Sequence, residues 1–546
     1  MSYERRLIWT RRRKVTMDKW KDWWKRDERG ILLVKSVLLA VLPLVCCLVY
    51  CAGKGRGLGE VYLPASEWND ELFYYKQVEG MISHGYPLGY FGFNESHALK
   101  LSFAAWSPVL VLPWVVWGKL FGWNLMAPVL CNIFLMSLSV FLFVWLVRPS
   151  WKQLGILTVL FCLYTPFVRY MLSVMPEVIC FSMLIVFYAL AINYLRCEKG
   201  YKLALLFMIS GVLTLMRPYM LLFLLLPAWF WIRRSKWKGA VGALAVMASV
   251  LGLYAYIKHA YGAEYFAPLF FTDWVTAFFE QGFFGGIRYG LGKLYYMGKD
   301  FLQHTRQGFR TGLASGAFFA GYLVCMFVLI GQSLRDYLNI RKEGKGRRRK
   351  GNIFMIEAHL AFSFAAMFFA LLLMYKLTEG SKHLLTFMAA ALFIIALMET
   401  KFYKKAVLVG VTFAYFYSYM AVDDYDYLVP FVQEERQACV NQWQEALAGR
   451  LVIDMDDVPS YDNVVIWVLY DAVGDTNINT QWQLLYALPD GFGISCCMPE
   501  YVGEHFDTLQ SRYICMPPGG VIESRCVQAG YTKIVESEKA VLYQRY

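Results

Sequence analysis

Apolar stretches of about 20 residues alternate with short polar segments along most of the chain. A helix needs about 20 apolar residues to cross the hydrocarbon core of a bilayer, so the pattern predicts a polytopic α-helical membrane protein. A transmembrane β-barrel would show short segments of alternating polarity instead. Eleven crossings are predicted, at 31–52, 124–147, 153–170, 177–195, 203–216, 218–232, 239–258, 312–332, 353–375, 383–399 and 406–422.

One apolar run, Phe103–Phe121, decides the predicted orientation. It contains Pro108 and Pro113, which disfavour a straight helix. If this run crossed the membrane, four later basic clusters would lie outside, against the positive-inside rule. We therefore predict that Phe103–Phe121 does not cross and that these clusters share the cytoplasmic side. They are Arg148/Lys152, Arg196–Lys202, Arg233–Lys238 and Arg341–Lys350.

The predicted orientation divides the chain into three parts. Residues 1–30 are basic and Trp-rich and are expected to anchor the N-terminus in the cytoplasm, with a possible interfacial helix at 18–29. Residues 31–422 form the membrane domain, which has outer loops at 53–123 and 259–311. Residues 423–546 form an extracytoplasmic domain, so the C-terminus lies outside the cell membrane.

The predicted outer tail has the pattern of a small α/β domain. Its strands are expected at Val464–Tyr470, Gly493–Cys497 and Tyr513–Met516, with a closing hairpin of Thr532–Val535 and Ala540–Tyr546. Helices are expected at Gln481–Leu488 and Glu504–Arg512. Five of the thirteen cysteines lie in this tail without zinc spacing, and both disulfides and free thiols remain open. Two acidic runs, at 423–426 and 454–457, indicate solvated loops.

Composition agrees with a membrane protein. Hydrophobic residues make up 58% of the chain and charged residues only 17%, against about 25% charged in ordinary soluble domains. The formal net charge of +13 would suit nucleic acid, but the basic residues cluster between apolar segments, so membrane topology explains them better. The lipid bilayer is the expected partner, and no nucleic acid is expected.

Candidate chemistry lies at the predicted outer ends of the crossings. Adjacent carboxylates, Asp70 and Glu71, occupy the first outer loop, where Asp70 is placed to act as a general base. Basic side chains at several outer turns can neutralise a phosphate through charge-assisted hydrogen bonds. The candidate catalytic residues are Asp70 and Glu71, and the candidate substrate-binding residues are Tyr74, His97, Arg169, Glu177, Arg217, Lys382 and His383.

Each of these residues also has a structural interpretation. Asp70 and Glu71 can begin a helix, because acidic side chains favour the first turn. Arg169 and Arg217 can reach the lipid headgroups, and Lys382 can be a flanking anchor. Glu177 follows Pro176 and can likewise start a helix, while His97 can be an ordinary loop residue. Their placement on one predicted side favours a shared site.

Several motifs resemble those of the GT-C superfamily of membrane glycosyltransferases, closest to the bacterial branch related to protein O-mannosyltransferases and aminoarabinose transferases. Asn69–Tyr75 is similar to the acidic Asp-Glu motif of the first outer loop. Leu215–Pro218 is similar to a recurring Arg-Pro motif. Trp106-Ser107-Pro108 stands where relatives often have His-Pro-Pro, and Lys382-His383 stands where many have Arg-Tyr.

This resemblance implies a multispanning fold with juxtamembrane helices in the first outer loop. It implies a polyprenyl-phosphate-sugar donor, inversion at the anomeric carbon and Asp70 as the base. The first loop has no Asp-x-Asp sequence, so no cofactor or metal is expected to be required.

The sequence therefore predicts an enzyme, a membrane glycosyltransferase that uses a lipid-phosphate-sugar donor and a lipid, glycan or protein acceptor on the outer face. One alternative is a transporter or flippase of lipid-linked saccharide, for which inverted repeats would be expected. Another is a polysaccharide polymerase or ligase, which donor specificity would distinguish.

Overall fold

The computed structural model describes residues 28–61, 70–85, 91–95, 107–164, 166–261, 271–311, 313–343, 348–375, 377–397, 434–450, 461–468, 488, 492–537 and 540–545. Most of these residues are helical. Within this part of the chain, five helices are long and apolar enough to cross a membrane: Glu28–Gly53, Ala127–Val147, Glu177–Arg196, Pro218–Tyr261 and Phe354–Met374. Shorter apolar helices are Pro108–Phe121, Trp151–Leu163, Gly200–Met216 and His383–Leu397. The polytopic helical class is confirmed, and the total of eleven crossings stays a prediction.

The elements are named here in chain order. The helices up to residue 261 are α1 (Glu28–Gly53), α2 (Asp70–Ser83), α3 (Leu112–Phe121), α4 (Ala127–Val147), α5 (Trp151–Leu163), α6 (Pro166–Met171), α7 (Glu177–Arg196), α8 (Gly200–Met216) and α9 (Leu225–Tyr261). The later helices are α10 (Asp273–Glu280), α11 (Gly282–Thr311), α12 (Leu313–Glu343), α13 (Arg348–Met374), α14 (Leu377–Leu397), α15 (Glu434–Leu447), α16 (Pro499–His505) and α17 (Val521–Gln528). The strands are β1 (Phe91–Phe93), β2 (Val464–Val468), β3 (Gly493–Cys497), β4 (Tyr513–Met516), β5 (Thr532–Glu536) and β6 (Val541–Gln544).

Local sequence explains where several helices break. The predicted crossing 153–170 is divided into α5 and α6 because Pro166 cannot continue the hydrogen-bond ladder of α5. Within α9, Lys236 has a non-helical backbone (φ 50°, ψ −126°). The chain after Lys236 packs so closely on Trp231 that a Cβ at Gly239 would lie 2.5 Å from the Trp231 carbonyl oxygen. The predicted separation of 218–232 from 239–258 agrees with this kink, while their assignment as two crossings stays a prediction.

Basic segments from distant parts of the chain meet at one end of the helix bundle. Lys35 of α1 donates to the Pro149 carbonyl (3.2 Å), and Arg196 donates to the Leu146 carbonyl (3.2 Å). Arg233 pairs with Glu198 (2.5 Å) and also contacts Met355 near the start of α13. We call this the Lys35 end. The predicted grouping of the basic clusters on one side agrees with these contacts, while the side of the membrane stays a prediction.

Helix α3 does not run the length of the bundle. Its Trp114 indole donates to Asn132 near the start of α4 (2.8 Å). Trp123, just beyond its other end, packs against Tyr75 of α2 with ring centroids 5.0 Å apart. The last turn of α4 lies at the Lys35 end, so Asn132, near the start of α4, lies towards the opposite end. Helix α1 begins at the Lys35 end and leads to the same opposite end. Both ends of α3 therefore lie at the opposite end of the bundle, an arrangement that supports the expectation that 103–121 does not cross.

Helix α7 occupies the centre of the bundle. In the apolar 18-residue stretch of α7, 78% of the residues are buried, compared with 22% in the corresponding stretch of α1. It packs against α4, α8, α13 and α14, and the apolar side chains that α1 leaves exposed are those expected to face lipid. Because α7 begins at Glu177, the central position of this helix places Glu177 in the interior of the end opposite the Lys35 end.

A six-stranded sheet has the order β1-β3-β2-β4-β6-β5. The first four strands are mutually parallel, and β6 is antiparallel to both β4 and β5. Five strands come from the tail and confirm the predicted strands and closing hairpin. The sixth, β1, comes from the first loop and pairs with Gly493–Cys497, so the predicted boundary at 423 does not enclose the whole sheet.

Glu95, the second residue after β1, ties the first loop to the tail. Its carboxylate accepts the backbone N–H groups of Gln510 (3.1 Å) and Ser511 (2.7 Å) and the Ser511 hydroxyl (2.5 Å). Its own backbone N–H donates to Ser495 (2.9 Å), and only 7% of Glu95 is exposed. Lys76 of α2 adds a second link, because its buried ammonium donates to the Leu488 carbonyl.

A helix between β3 and β4 is confirmed, but its predicted bounds, Glu504–Arg512, are wrong. The structure instead has α16 at Pro499–His505 and a 3₁₀ turn at Phe506–Thr508. Pro499 favours an earlier start because proline suits the first helical turn. The N–H groups of Gln510 and Ser511 donate to Glu95 rather than to a preceding turn, which ends the helical conformation before those residues. Helix α17 and strand β1 were not predicted.

All thirteen cysteines are free thiols, including the five in the tail. The predicted helix 481–488, apart from Leu488, lies outside the described residues. The same holds for residues 1–27, the predicted crossing 406–422 and the two acidic runs at 423–426 and 454–457.

Candidate functional site

Arg217 is buried where α8 ends. The residue before a proline is disfavoured in the helical conformation, and Arg217 precedes Pro218. It has an extended backbone (φ −145°, ψ 118°), after which the chain continues as a 3₁₀ turn at Pro218–Leu224. The change of direction leaves only 1% of Arg217 exposed, so its guanidinium does not reach out to lipid headgroups. We call this end of the bundle the Arg217 end.

Glu177 supplies the counter-charge for Arg217. It is the first residue of α7, after Pro176, and it is fully buried. One guanidinium nitrogen of Arg217 donates to Glu177 Oε1 at 2.6 Å. A buried ion requires a partner, because the cost of removing a single charge from water is several kcal/mol (about 3–5 when one partner of a pair is lost). Glu177 therefore both starts its helix and holds the arginine.

Tyr219 connects Arg217 to His383. The other terminal nitrogen of Arg217 donates to the Tyr219 hydroxyl (3.0 Å), which lies 3.2 Å from His383 Nδ1. The Tyr219 oxygen accepts from Arg217, so the Tyr219 hydroxyl joins the guanidinium to the His383 ring. The Tyr219 and His383 rings also meet edge to face, 5.3 Å apart. Elements α7, α8 and α14 are thereby joined by one polar network.

Helix α2 brings first-loop side chains to the same place. Glu71 and Tyr74 are 1% and 3% exposed, and the Tyr74 hydroxyl lies within electrostatic reach of Arg217. Helix α2 is held against α3 by the Tyr75–Trp123 contact and by Ile82, which lies where a Cβ at Gly118 would be. Asp70 is the first described residue of α2, so its interpretation as a helix start and its role as a base both stay predictions.

Arg169 lies on α6 at the same end of the bundle. It is 5% exposed, and its guanidinium carbon is 5.3 Å from the centroid of the Tyr170 ring. Asn132 of α4 fixes the adjoining turn, because its side-chain amide donates to the Ser173 carbonyl (2.9 Å) and contacts the Tyr170 carbonyl (3.3 Å). Asn132 also accepts from Trp114, so one fully buried amide connects α3, α4 and α6.

Among the predicted site residues, the structure brings Glu177, Arg217 and His383 into one network with Tyr74 beside it. Glu71 and Arg169 are buried at the same end of the bundle. The side chains of Asp70 and Lys382, and the whole of His97, lie outside the described residues, so their roles stay predictions. We call Glu177, Arg217, Tyr219 and His383 the Arg217 network.

Sequence reasoning missed Tyr219 and Asn132. Tyr219 follows the singled-out Arg217-Pro218 pair, and a hydroxyl so near a buried cation was a usable signal. Asn132 is an amide within an otherwise apolar crossing, where an unpaired polar group is costly, and this also was a usable signal.

No group of three or more His, Cys, Asp or Glu side chains with the arrangement of a metal site occurs in the part of the chain that the structure describes. The metal requirement therefore stays a prediction from the sequence alone. The Arg217 network itself offers hydrogen-bond donors and a carboxylate at the end of a helix bundle, which suits an anionic or hydroxyl-bearing ligand.

Comparison with known proteins gives distant structural neighbours only. No known family model matches the chain, and no curated protein matches it. The apo oligosaccharyltransferase of Archaeoglobus fulgidus is 12% identical, with a TM-score of 0.49 over 89% of this chain and 69% of that one. ArnT from Cupriavidus metallidurans bound to undecaprenyl phosphate is 10% identical, with a TM-score of 0.39 over 93% of this chain and 97% of that one.

A second structure of the archaeal enzyme, AglB in complex with an inhibitory peptide and a dolichol-phosphate, gives the same TM-score of 0.49 at 12% identity. These neighbours are membrane glycosyltransferases of the GT-C superfamily, the superfamily that the motifs resemble.

Proposed function

We propose that this chain is a membrane glycosyltransferase that moves a sugar from a polyprenyl-phosphate-linked donor to an acceptor on the outer face of the membrane. The observation that carries the proposal is the Arg217 network, buried at the end of an apolar helix bundle beside the start of α2. Ionisable groups at such depth are costly and mark functional sites. A phosphate at the membrane surface, attached to a lipid chain among the helices, is a ligand that such a site suits.

The reaction that fits these residues is a single displacement. The acceptor hydroxyl oxygen forms a bond to the anomeric carbon, while Asp70 at the start of α2 takes the hydroxyl proton. The bond between the anomeric carbon and the phosphate oxygen breaks, and its electron pair leaves with the lipid phosphate. Attack opposite the leaving group inverts the configuration at the anomeric carbon.

Basic side chains at the Arg217 end then stabilise the departing phosphate. Arg169 and His383 are buried there, and Lys382 precedes His383 in the chain. Arg217 is held in place by Glu177 and Tyr219, so little reorganisation is needed when negative charge develops. In this proposal Arg217 stabilises charge and Glu177 positions Arg217.

Transfer of sugar from a purified polyprenyl-phosphate-sugar donor by the reconstituted chain tests the proposal. Asp70→Asn is expected to lower kcat by about 10²–10⁴-fold, because an amide cannot accept the proton. Glu60→Gln is the matched control, since Glu60 is a half-exposed first-loop carboxylate whose hydrogen bonds are local, with Arg56 and the Gly57 N–H. Full activity of Asp70→Asn would remove Asp70 from the chemistry.

The same preparation distinguishes the alternative functions. Movement of the lipid-linked saccharide across a liposome membrane without transfer would favour a transporter or flippase. Transfer from diphosphate-linked oligosaccharides but not from monophosphate donors would favour a polymerase or ligase. A glycosyltransferase of the proposed kind requires the monophosphate donor and releases the free lipid phosphate.

A further inference from the structure

The hairpin of α10 and α11 leaves large aromatic side chains uncovered. Its two helices are held together at Asp273, whose carboxylate accepts from the Tyr289 hydroxyl (2.6 Å) and from Lys293 (2.5 Å). At its turn, the exposed fractions of three side chains are 86% for Phe279, 66% for Phe283 and 84% for Phe284. Exposed apolar clusters of this kind mark contact surfaces rather than water-facing ones.

The hairpin is fixed beside a membrane-crossing helix. The Phe271 N–H donates to the carbonyl of Met374, the last residue of α13 (2.8 Å). Further along α11, Phe301 is buried against Phe368 of α13, with ring centroids 5.3 Å apart. Phe368 lies six residues before Met374, a helical rise of about 9 Å. Helix α11 therefore passes alongside the bundle at the depth of the last turns of α13.

This position is also next to the Arg217 network. Tyr375, which follows Met374, packs against His383 with ring centroids 5.8 Å apart. The hairpin thus lies at the Arg217 end, and the membrane surface at that end is the surface available to it.

An apolar stripe follows one face of α11. Phe284, Leu291, Tyr295 and Leu302 are separated by seven, four and seven residues, which places them on one side of a helix with 3.6 residues per turn. Their exposed fractions are 84%, 62%, 66% and 65%. Comparable exposure occurs on the face of α1 that is expected to meet lipid, where Val49 is 66% exposed.

A basic row runs beside this stripe. Arg288, Lys299 and Arg306 are exposed and lie about 50° further round the same helix. Helix α11 is consequently too charged to cross the membrane, and it is absent from the helices that qualify by length and hydropathy. An apolar face bordered by Lys and Arg is the pattern of a helix that lies in the headgroup region and is attracted to anionic lipids.

We propose that the α10–α11 hairpin is an interfacial element that inserts its apolar stripe and Phe279, Phe283 and Phe284 into the membrane at the Arg217 end. The basic row binds the headgroups of anionic lipids there. A second copy of the chain is the competing occupant of the stripe. The charge row favours lipid, because an isologous contact would bring two copies of the row near each other.

Hydrogen exchange of the intact chain in lipid nanodiscs tests the proposal, read for the peptide segments that cover 279–303. Protection in nanodiscs that contain phosphatidylglycerol should exceed protection in pure phosphatidylcholine. The triple variant Arg288→Gln, Lys299→Gln, Arg306→Gln should lose that difference, with protection in the anionic nanodiscs falling about ten- to hundred-fold. The matched control Arg288→Lys, Lys299→Arg, Arg306→Lys should keep it, because headgroup attraction depends on charge.

A second variant tests insertion itself. Phe279→Ser with Phe284→Ser should reduce protection of 279–303 in both kinds of nanodisc, while exchange in α7 stays unchanged. Equal protection in both lipids together with no effect of the triple glutamine variant would overturn the lipid assignment. Protection that rises with protein concentration, with crosslinks between copies at 284–302, would overturn it in favour of a second copy. Neither outcome depends on glycosyl transfer, so the hairpin proposal and the proposed function can fail separately.

Discussion

The roles of the residues at the Arg217 end become clear only from their contacts with one another. Arg217, Glu177 and His383 each have an ordinary structural interpretation when taken alone in the sequence. The structure joins them through Tyr219 within one network. A charged side chain that is 1% exposed is sustained by its partners, so the energetics of this site belong to pairs of residues rather than to individual ones.

The ion pair of Arg217 and Glu177 gives a testable coupling. Arg217→Gln leaves Glu177 buried without a counter-charge, and we expect the free energy of unfolding to fall by about 3–5 kcal/mol. Glu177→Gln should be similarly destabilising. The double variant should be markedly less destabilised than the sum of the single variants, because it leaves no uncompensated charge. Thermal unfolding in detergent measures this cycle, and additive effects would contradict the pairing.

The sequence could mark Arg217 but could not place it. Pro218 predicts the end of α8 and the extended backbone of Arg217 through a local steric rule. Its contact with Glu177 depends on how α7 packs against α8. Its link to His383 depends on the packing of α14, because His383 lies 164 residues after Tyr219. Such contacts follow from tertiary packing, which a hydropathy pattern does not contain.

At the scale of elements, the short strand β1 determines how the first loop meets the tail. Three residues pair with β3, and Glu95 then accepts two backbone N–H groups and a hydroxyl. The tail strands were predictable because their short apolar runs and the turns between them are local features. The end of α16 was not, because the acceptor for Gln510 and Ser511 lies more than 400 residues earlier in the chain.

Replacing Glu95 should loosen this junction. Glu95→Gln replaces one carboxylate oxygen with an NH₂ group, which cannot accept from the Gln510 and Ser511 donors. We therefore expect the free energy of unfolding of the tail to fall by about 1–3 kcal/mol. Hydrogen exchange at 509–516 and 91–95 should rise together. Glu500→Gln is the matched control, because Glu500 is an exposed acid on α16 of the same domain. Unchanged exchange in Glu95→Gln would show that the carboxylate does not hold the junction.

Acid should weaken the closing hairpin through Glu523 on α17. Burial raises the pKa of Glu523, but hydrogen bonds from the Gly519 N–H and the Tyr543 hydroxyl, together with nearby Lys533, outweigh burial and lower that pKa below the ordinary 4.5. A lowered folded-state pKa contributes stability above the unfolded-state pKa and loses it as the pH falls through the folded-state value.

The test compares the stability of the tail in the native chain and in Glu523→Gln over a range of pH. At neutral pH, Glu523→Gln should destabilise the tail relative to the native chain, and this difference should shrink as the pH falls below about 4.5. Hydrogen exchange of 532–544 reports it. A difference that grows on acidification would contradict the assignment.

For the molecule as a whole, charge distribution predicted the arrangement better than length did. Contacts at the Lys35 end bring together segments whose basic residues are separated widely in sequence. Helix lengths were a weaker guide, since the predicted crossing 153–170 is divided into α5 and α6 at Pro166. Where short helices stop depends on neighbours that bury them, and the sequence does not specify those neighbours.

The position of α3 leads to a topological prediction. A reporter fused after residue 122 should give an extracytoplasmic signal, because both ends of α3 lie at the Arg217 end. A fusion after Arg148 should give a cytoplasmic signal and serves as the paired control. A cytoplasmic signal after residue 122 would require α3 to cross and would reverse the assignment of every later loop.

The pairing of β1 with β3 also sets a schedule for biosynthesis. Ribosomes add about 5–20 residues per second, and Glu95 and Ser495 are 400 residues apart. The first loop, which carries the start of α2, therefore waits on the order of 20–80 s after its own synthesis before its partner strand exists. A nascent chain can insert its helices during that interval, but it cannot complete the junction that holds this loop. Chains that stall or are truncated before residue 497 would be left as membrane-inserted helices without a closed sheet, and these are natural targets for quality-control proteases.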